Sequence, residues 1–87
     1  MPDSAESSVL VLYFAALRDL AGTSEERVAL AAPLSVAAFL ATLEDRRGAL
    51  RGRLVSVRVA VNEEFSEPST LLWGGEVVAL IPPVSGG

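Results

Sequence analysis

The chain has 87 residues, of which 51% are apolar and 21% are charged, and its formal net charge is −4. This length suits one small domain with a single core, and the composition is far from the low apolar content and high charge of a disordered protein. The chain has no Cys, His or Lys, which excludes disulfides, thiolate or imidazole catalysis, Schiff-base chemistry and the commonest metal ligands.

The net charge and the apolar runs also restrict the partners. An acidic chain is a poor match for nucleic acid, which is bound largely by neutralising phosphates, and would sooner dock on a basic protein surface. The longest apolar runs, residues 9–17 and 77–84, are much shorter than the roughly 20 residues that cross a bilayer. We therefore expect a soluble cytoplasmic protein with no nucleic-acid or membrane partner.

In chain order, the first predicted elements are a strand, a short helix and a second strand. Residues 1–8 are acidic and polar, and we expect a flexible N-terminal extension there. SVLVLYF at residues 8–14 is almost continuously apolar, which indicates a strand buried on both faces. AALRDLAG at residues 15–22 indicates a helix of about two turns that ends at Gly22. EERVALA at residues 25–31 indicates a half-exposed strand.

A longer amphipathic helix is predicted next. Ser35 is a good N-cap residue, and an apolar stripe with i, i+3, i+4, i+7 spacing follows it. The stripe consists of Val36, Phe39, Leu40 and Leu43. Arg46 and Arg47 lie where the helix dipole favours cations, and Gly48 is expected to form a left-handed cap. Such a helix needs a sheet to lie on.

Two further strands are predicted in the second half of the chain. LVSVRVAVN at residues 54–62 alternates between apolar and polar positions, whereas EVVALI at residues 76–81 is almost continuously apolar. The aromatic residues are assigned to the core or its lid: Phe14, Phe39, Phe65 and Trp73. Only the first and last strands are predicted to be buried on both faces, so we expect them at the centre of the sheet. We predict an α+β fold of the ubiquitin-like β-grasp type over residues 9–81. It has a mixed sheet of four to five strands, one main helix on one face and a short helix after the first strand.

Residues 82–87, PPVSGG, form a candidate functional tail. The tail consists of Pro82, Pro83, Val84, Ser85, Gly86 and Gly87. The prolines cannot donate ladder hydrogen bonds and favour an extended chain, so the sheet should end before them. No element follows the final Gly-Gly, whereas the pair at residues 74–75 suits a tight turn. These residues favour a tail that another enzyme threads and activates, and a frayed end is the alternative.

Three stretches carry a resemblance to a known family. VLYFAALRDLAGTSEERVAL at residues 11–30, VAVN at residues 59–62 and GGEVVALIPPVSGG at residues 74–87 resemble the small subunit of molybdopterin synthase, a ubiquitin-like sulfur carrier. The resemblance covers essentially the whole domain from Val9 onward, and its most specific part is the terminal PPVSGG. The turn at residues 74–76 departs from the family, where an Asp-Gly-Asp-like sequence is common.

The resemblance implies a role for the terminal carboxylate. A ubiquitin-activating-type enzyme would use ATP to adenylate Gly87, and a sulfur donor protein would convert it into a thiocarboxylate. The tail, from Pro82 to Gly86, would thread into the large subunit. Sulfur from Gly87 would pass there to cyclic pyranopterin monophosphate, in molybdenum cofactor biosynthesis. The chain itself would bind no cofactor or metal ion and would have no autonomous active site.

The resemblance also implies an assembly and an interface. The family works as a heterotetramer, with two large subunits at the centre and one small subunit at each end. Ile81 is carried over as a partner contact. Apart from the resemblance, Arg18 on the first predicted helix is a second candidate contact, and a solvated helix face is the alternative. Aromatic residues are common in the family at the positions of Leu80 and Ile81, which leaves open the side chains that contact the large subunit.

Two alternative functions stay open. A related carrier for thiamine or tRNA thiolation would share the fold and the terminal Gly-Gly, but thiamine carriers tend to lack the helix-forming segment of residues 15–22. A non-covalent β-grasp interaction module with an inert tail is the alternative of a different class.

Overall fold

The computed structural model describes residues 7–83. The elements are β1 (Ser8–Tyr13), α1 (Ala16–Ala21), β2 (Glu25–Ala29), β3 (Leu34–Ser35), α2 (Val36–Arg46), a 3₁₀ turn (Gly48–Leu50), β4 (Arg58–Val61), β5 (Glu64–Phe65), β6 (Leu71–Leu72) and β7 (Val77–Ile81). Residues 1–6 of the predicted extension lie outside the described residues, and Ser8 already pairs with Ala29 in the sheet. None of the helices in residues 7–83 is long and apolar enough to cross a membrane.

Five strands form one mixed sheet in the order β2–β1–β7–β4–β5. The first and last strands, β1 and β7, run parallel at its centre, and all other neighbours are antiparallel. β3 and β6 form a separate two-stranded pair. This arrangement confirms the predicted β-grasp fold, including the central position of the first and last strands.

Helix α2 supplies the apolar stripe that closes the core. Its N-terminus is capped as predicted, because the Ser35 hydroxyl oxygen accepts a hydrogen bond from the Ala38 amide at 3.1 Å. The stripe and the sheet residues that face it form one cluster. The cluster includes the fully buried residues Val9, Val11, Phe39, Leu43, Val78 and Leu80.

The two helices end differently. α1 is followed by Gly22, whose φ of +79° lies in the left-handed region as predicted. The prediction of a left-handed cap at Gly48 is wrong, because α2 ends one residue earlier on an extended cap. Arg47 has a φ of −128°, and its amide donates to the Leu43 carbonyl at 2.9 Å.

Strand β4 is shorter than predicted and begins at Arg58 rather than at residue 54. Arg58 lies opposite Ile81, the last residue of β7. Pro82 follows and cannot donate to a ladder, so residues 54–57 find no partner strand among the described residues. The apolar alternation of residues 54–57 therefore does not produce a strand.

Candidate functional site

The described part of the predicted tail leaves the sheet from its most central strand. β7 is paired on both sides, with β1 and with β4, and Ile81 is its last residue. Pro82 and Pro83 follow outside the ladder. This end of the sheet is called the tail end below. The other predicted tail residues lie outside the described residues: Val84, Ser85, Gly86 and Gly87, the residue predicted to react.

The face of the sheet turned away from the core, here called the open face, is apolar and only partly covered. Residues directly opposite each other on neighbouring strands share a face, and Ala79 lies opposite both Leu12 and Ala60. A cavity of about 560 Å³ lies on this face. The cavity is lined by side chains from β1, β4, β5 and β7 and by Phe14, which directly follows β1. The lining includes Leu12, Ala60, Phe65, Ala79 and Ile81.

The open face contradicts the prediction that the first and last strands are buried on both faces. From Val9 onward, the residues of β1 alternate between buried and half-buried, and those of β7 do the same. Each strand therefore has only one face in the core. The physical reason was available in the sequence, because the chain supplies one long helix to cover a sheet with two apolar faces.

The aromatic residues follow the same division. Phe39 is fully buried in the core, as predicted. The assignments of Phe14, Phe65 and Trp73 to the core or its lid are wrong, since these side chains are 44%, 63% and 65% exposed. Phe14 and Phe65 lie on the open face, and an exposed pair of aromatic rings around an apolar cavity is typical of a protein–protein contact.

The two predicted partner contacts lie in different places. Ile81 is half-buried, lines the cavity of the open face and directly precedes the tail. Arg18 is exposed on α1 and lines a separate shallow cavity with Asp19 and Gly22. The structure thus brings Ile81, but not Arg18, together with the open face, and both roles stay predictions.

A polar clamp that was not predicted from the sequence is formed by Tyr13, Glu26 and Arg47. The Glu26 carboxylate accepts hydrogen bonds from Arg47 Nε and Nη2, each at 2.9 Å, and from the Tyr13 hydroxyl. Arg47 Nη1 also donates to the Ala21 carbonyl at 2.7 Å. The clamp therefore connects β1, β2, α1 and the end of α2. Its one signal in the sequence is the period of β2, which places Glu26 on the same face as the buried Val28.

The polar clamp pairs a negatively charged carboxylate with a positively charged guanidinium and a neutral hydroxyl. The hydrogen bonds from Arg47 hold the pKa of the Glu26 carboxyl at about 2, below its ordinary value of 4.5. Burial raises the pKa of Tyr13 above its ordinary value, and the neighbouring Glu26 carboxylate raises it further. Glu26 is therefore ionised and Tyr13 neutral at physiological pH, which suits a structural contact.

The described residues present an uncovered apolar surface rather than a cluster of metal-ligating side chains. No group of three or more acidic side chains in residues 7–83 is placed to hold a metal ion. The open face presents apolar side chains directly beside the strand that leads into the tail. An uncovered apolar surface of this kind is typical of a protein–protein contact.

Comparisons with known proteins agree with this geometry. The model of the ThiS family matches residues 11–87. A molybdopterin synthase sulfur carrier subunit from Mycobacterium tuberculosis is 36% identical over 80 residues, which cover 91% of this chain and 96% of that protein.

Two solved structures share the fold. SAMP1 from Haloferax volcanii matches with a TM-score of 0.82 and 30% identity, over 92% of this chain and 99% of that chain. A chain in the complex of subunits 1 and 2 of the molybdopterin-converting factor from Helicobacter pylori matches with a TM-score of 0.60 and 25% identity, over 92% of this chain and 99% of that chain. The chain therefore belongs to the ThiS family of ubiquitin-like proteins, together with the molybdopterin synthase sulfur carrier subunits that it resembles.

Proposed function

We propose that this chain is the sulfur carrier subunit of molybdopterin synthase. The observation that carries the proposal is the continuity of two features: a central strand that ends at Ile81 and leads into PPVSGG, and an apolar open face beside it. The 36% identity to a sulfur carrier subunit of that synthase supports the same function.

The proposed chemistry takes place on the carboxylate of Gly87. The carboxylate attacks the α-phosphate of ATP in a ubiquitin-activating-type enzyme, which releases pyrophosphate and leaves an acyl-adenylate. A persulfide of a donor protein then displaces AMP, which leaves an acyl disulfide between Gly87 and the donor. A thiol of a partner protein attacks the donor's sulfur in that disulfide, forms a new disulfide with the donor and releases the thiocarboxylate of Gly87. The thiocarboxylate sulfur passes to cyclic pyranopterin monophosphate, and water restores the carboxylate. Each step uses catalytic groups of a partner protein, in keeping with a chain that has no Cys, His or Lys.

The open face is proposed to dock on the large subunit, with two large subunits at the centre of a heterotetramer. Four residues follow Pro83, and each extends the chain by at most about 3.6 Å. The reacting carbon therefore lies within about 14 Å of Pro83. Docking of the open face has to bring the large subunit's site to within that distance, which explains why the apolar contact adjoins the base of the tail.

The proposal is tested by following Gly87. The chain is incubated with ATP, the activating enzyme and a sulfur donor, and intact mass is expected to show one oxygen exchanged for one sulfur. Addition of the large subunit and the pterin precursor should then discharge the sulfur. The variant that lacks Gly87 is expected to give neither change. An unmodified terminus in the wild-type chain contradicts every carrier function.

The destination of the sulfur is tested by co-purification. A molybdopterin synthase large subunit is expected to bind this chain, and a thiazole synthase or a tRNA-thiolating enzyme is not. Recovery of a thiazole synthase alone would instead support the thiamine carrier. If deletion of Gly87 leaves all biological activity intact, the chain is a non-covalent interaction module.

A second candidate function is protein modification, which the likeness to SAMP1 favours, since the same protein from Methanosarcina acetivorans is described as a small archaeal modifier protein. In that case the activated Gly87 would form an isopeptide bond with a lysine of another protein. This chain has no Lys, so lysine-linked chains of this protein cannot form. Mass spectrometry of lysine peptides that carry a C-terminal remnant of this chain would separate modification from sulfur transfer.

A further inference from the structure

Two charged side chains occupy the β2 edge of the open face. Glu25 lies directly opposite Leu12, and Arg27 lies directly opposite Leu10. Directly opposed residues share a face, and Leu12 lines the cavity of the open face. Glu25 and Arg27 are both exposed. Along β2, the negative charge is nearer the tail end and the positive charge is nearer the far end.

Two more charges occupy the β4 edge of the same face, in the reverse order. Arg58 lies opposite Ile81 at the tail end. Its guanidinium carbon is 4.2 Å from the centre of the Phe65 ring, which itself lines the open-face cavity. Glu63 lines the cavity at the far end, in the turn between β4 and β5. Both side chains are exposed.

The four charges form a frame of alternating sign around an apolar centre. At the tail end the frame has Glu25 on one side and Arg58 on the other, and at the far end it has Arg27 and Glu63. Within residues 7–83 none of the four takes part in an ion pair, since the described pairs join Arg46, Arg47 and Arg51 to Glu26 and Asp45. Their charges are therefore available to another molecule.

This frame is complementary to itself. A two-fold axis parallel to the strands places Glu25 over Arg58 of a second copy and Arg27 over its Glu63. A two-fold axis across the strands places Glu25 over Arg27 and Arg58 over Glu63. Either rotation brings every charge onto one of opposite sign and covers apolar surface with apolar surface, which is what an isologous contact requires.

We infer that the open face binds a second copy of this chain, face to face about a two-fold axis, when no other partner covers it. The inference goes beyond the proposed function and does not depend on it. Sheets pack face to face in this way at about 10 Å separation, and burial of the exposed Phe14 and Phe65 rings drives the association. Any protein that binds the open face has to displace the second copy.

Sedimentation equilibrium of the full chain tests this inference. The wild-type chain is expected to form a dimer whose dissociation constant rises with salt concentration. Arg58→Glu turns attraction into repulsion at two symmetric contacts and should raise the dissociation constant about tenfold or more. Arg53→Glu is the matched control, because it makes the same charge change at an exposed turn residue outside the open face, and it should change the constant about twofold at most.

Compensating charge exchanges identify the two-fold axis. They also distinguish loss of the dimer contact from unfolding of the variant, because an unfolded variant would not be rescued. Arg58→Glu combined with Glu25→Arg should restore the dimer if the axis runs along the strands. Arg58→Glu combined with Glu63→Arg should restore it if the axis runs across them. A wild-type chain that stays monomeric at about 1 mM in low salt, equal effects of Arg58→Glu and Arg53→Glu, or rescue by neither exchange would overturn the inference.

Discussion

The two central strands, β1 and β7, are apolar on both faces of the sheet, but the two faces have different environments. On β1, Val11 is fully buried and the adjacent Leu12 is half-buried; on β7, Leu80 is fully buried and the adjacent Ile81 is half-buried. The difference is what lies over each face, because α2 covers one of them and no element in residues 7–83 covers the cavity of the other. An apolar pattern in the sequence thus indicates that a surface is stabilised by burial. The fold decides whether that surface is buried by the chain's own elements or is left for another molecule.

The largest expected effect compares one phenylalanine from each face. Phe39→Ala removes a fully buried ring from the core and should lower the free energy of unfolding by about 3–5 kcal/mol. Phe65→Ala removes a ring that is 63% exposed and should lower it by less than about 1 kcal/mol. Urea denaturation measures both values. Equal losses in the two variants would show that the open face is part of the folding core.

The next largest effect concerns the polar clamp, which belongs to the core side of the sheet. Arg47→Ala removes two short hydrogen bonds to the Glu26 carboxylate and one to the Ala21 carbonyl. We expect a loss of about 2 kcal/mol in unfolding free energy, because a mostly buried carboxylate loses the nearer of its two charged partners. Arg46→Ala is the control, since its contact with Glu26 is 3.5 Å long and more exposed, and it should lose less than about 0.5 kcal/mol.

The pH dependence of stability isolates the carboxylate of the clamp. The pKa of Glu26 is about 2 in the folded chain, below the ordinary 4.5. A lowered carboxyl pKa adds stability above pH 4.5, and that stability is lost as the pH falls from 4.5 towards 2. Unfolding free energy should therefore decrease over this window. Glu26→Gln should make the decrease shallower, and an unchanged slope would contradict the assigned pKa.

The smallest expected change in unfolding free energy comes from a substitution on the open face, where we expect a large effect on binding of the large subunit. Ile81→Ala should cost about 1 kcal/mol of unfolding free energy, because the side chain is only half-buried. It should weaken binding of the large subunit about 30-fold, because the proposed interface loses an apolar contact directly beside the tail. Val55→Ala is the control, because Val55 is 85% exposed and is not a wall of the open-face cavity.

Titration calorimetry and urea denaturation separate the two faces in this last case. If a variant of the open face loses binding of the large subunit but keeps its unfolding free energy, the result supports a binding role for the open face and a stabilising role for the core face. If the Ile81→Ala variant binds the large subunit as tightly as the wild-type chain and the Val55→Ala control do, the docking surface lies elsewhere. Exposed Arg18 on α1 then becomes the next contact to test.

Several parts of the fold follow from local chemistry and were predictable. The hydroxyl of Ser35 caps α2, and Gly22 adopts a left-handed conformation after α1, because both depend on residues within one turn. The adjacency of β1 and β7 was also predictable, since these were the two most continuously apolar segments. The start of β4 was not, because it depends on where β7 ends at Ile81 and thus on pairing between distant residues.

The candidate site divides in the same way. The sequence by itself predicted a tail that begins at Pro82 and Pro83, and it determined the family, because both patterns lie in consecutive residues. Only the tertiary structure decided that Phe14 and Phe65 share an uncovered face. Likewise it decided that Glu26 meets Arg47 across 21 positions of sequence and that four charges frame the open face. Periodicity assigns a side chain to one face of its own element, but which elements lie over that face depends on how the whole chain packs.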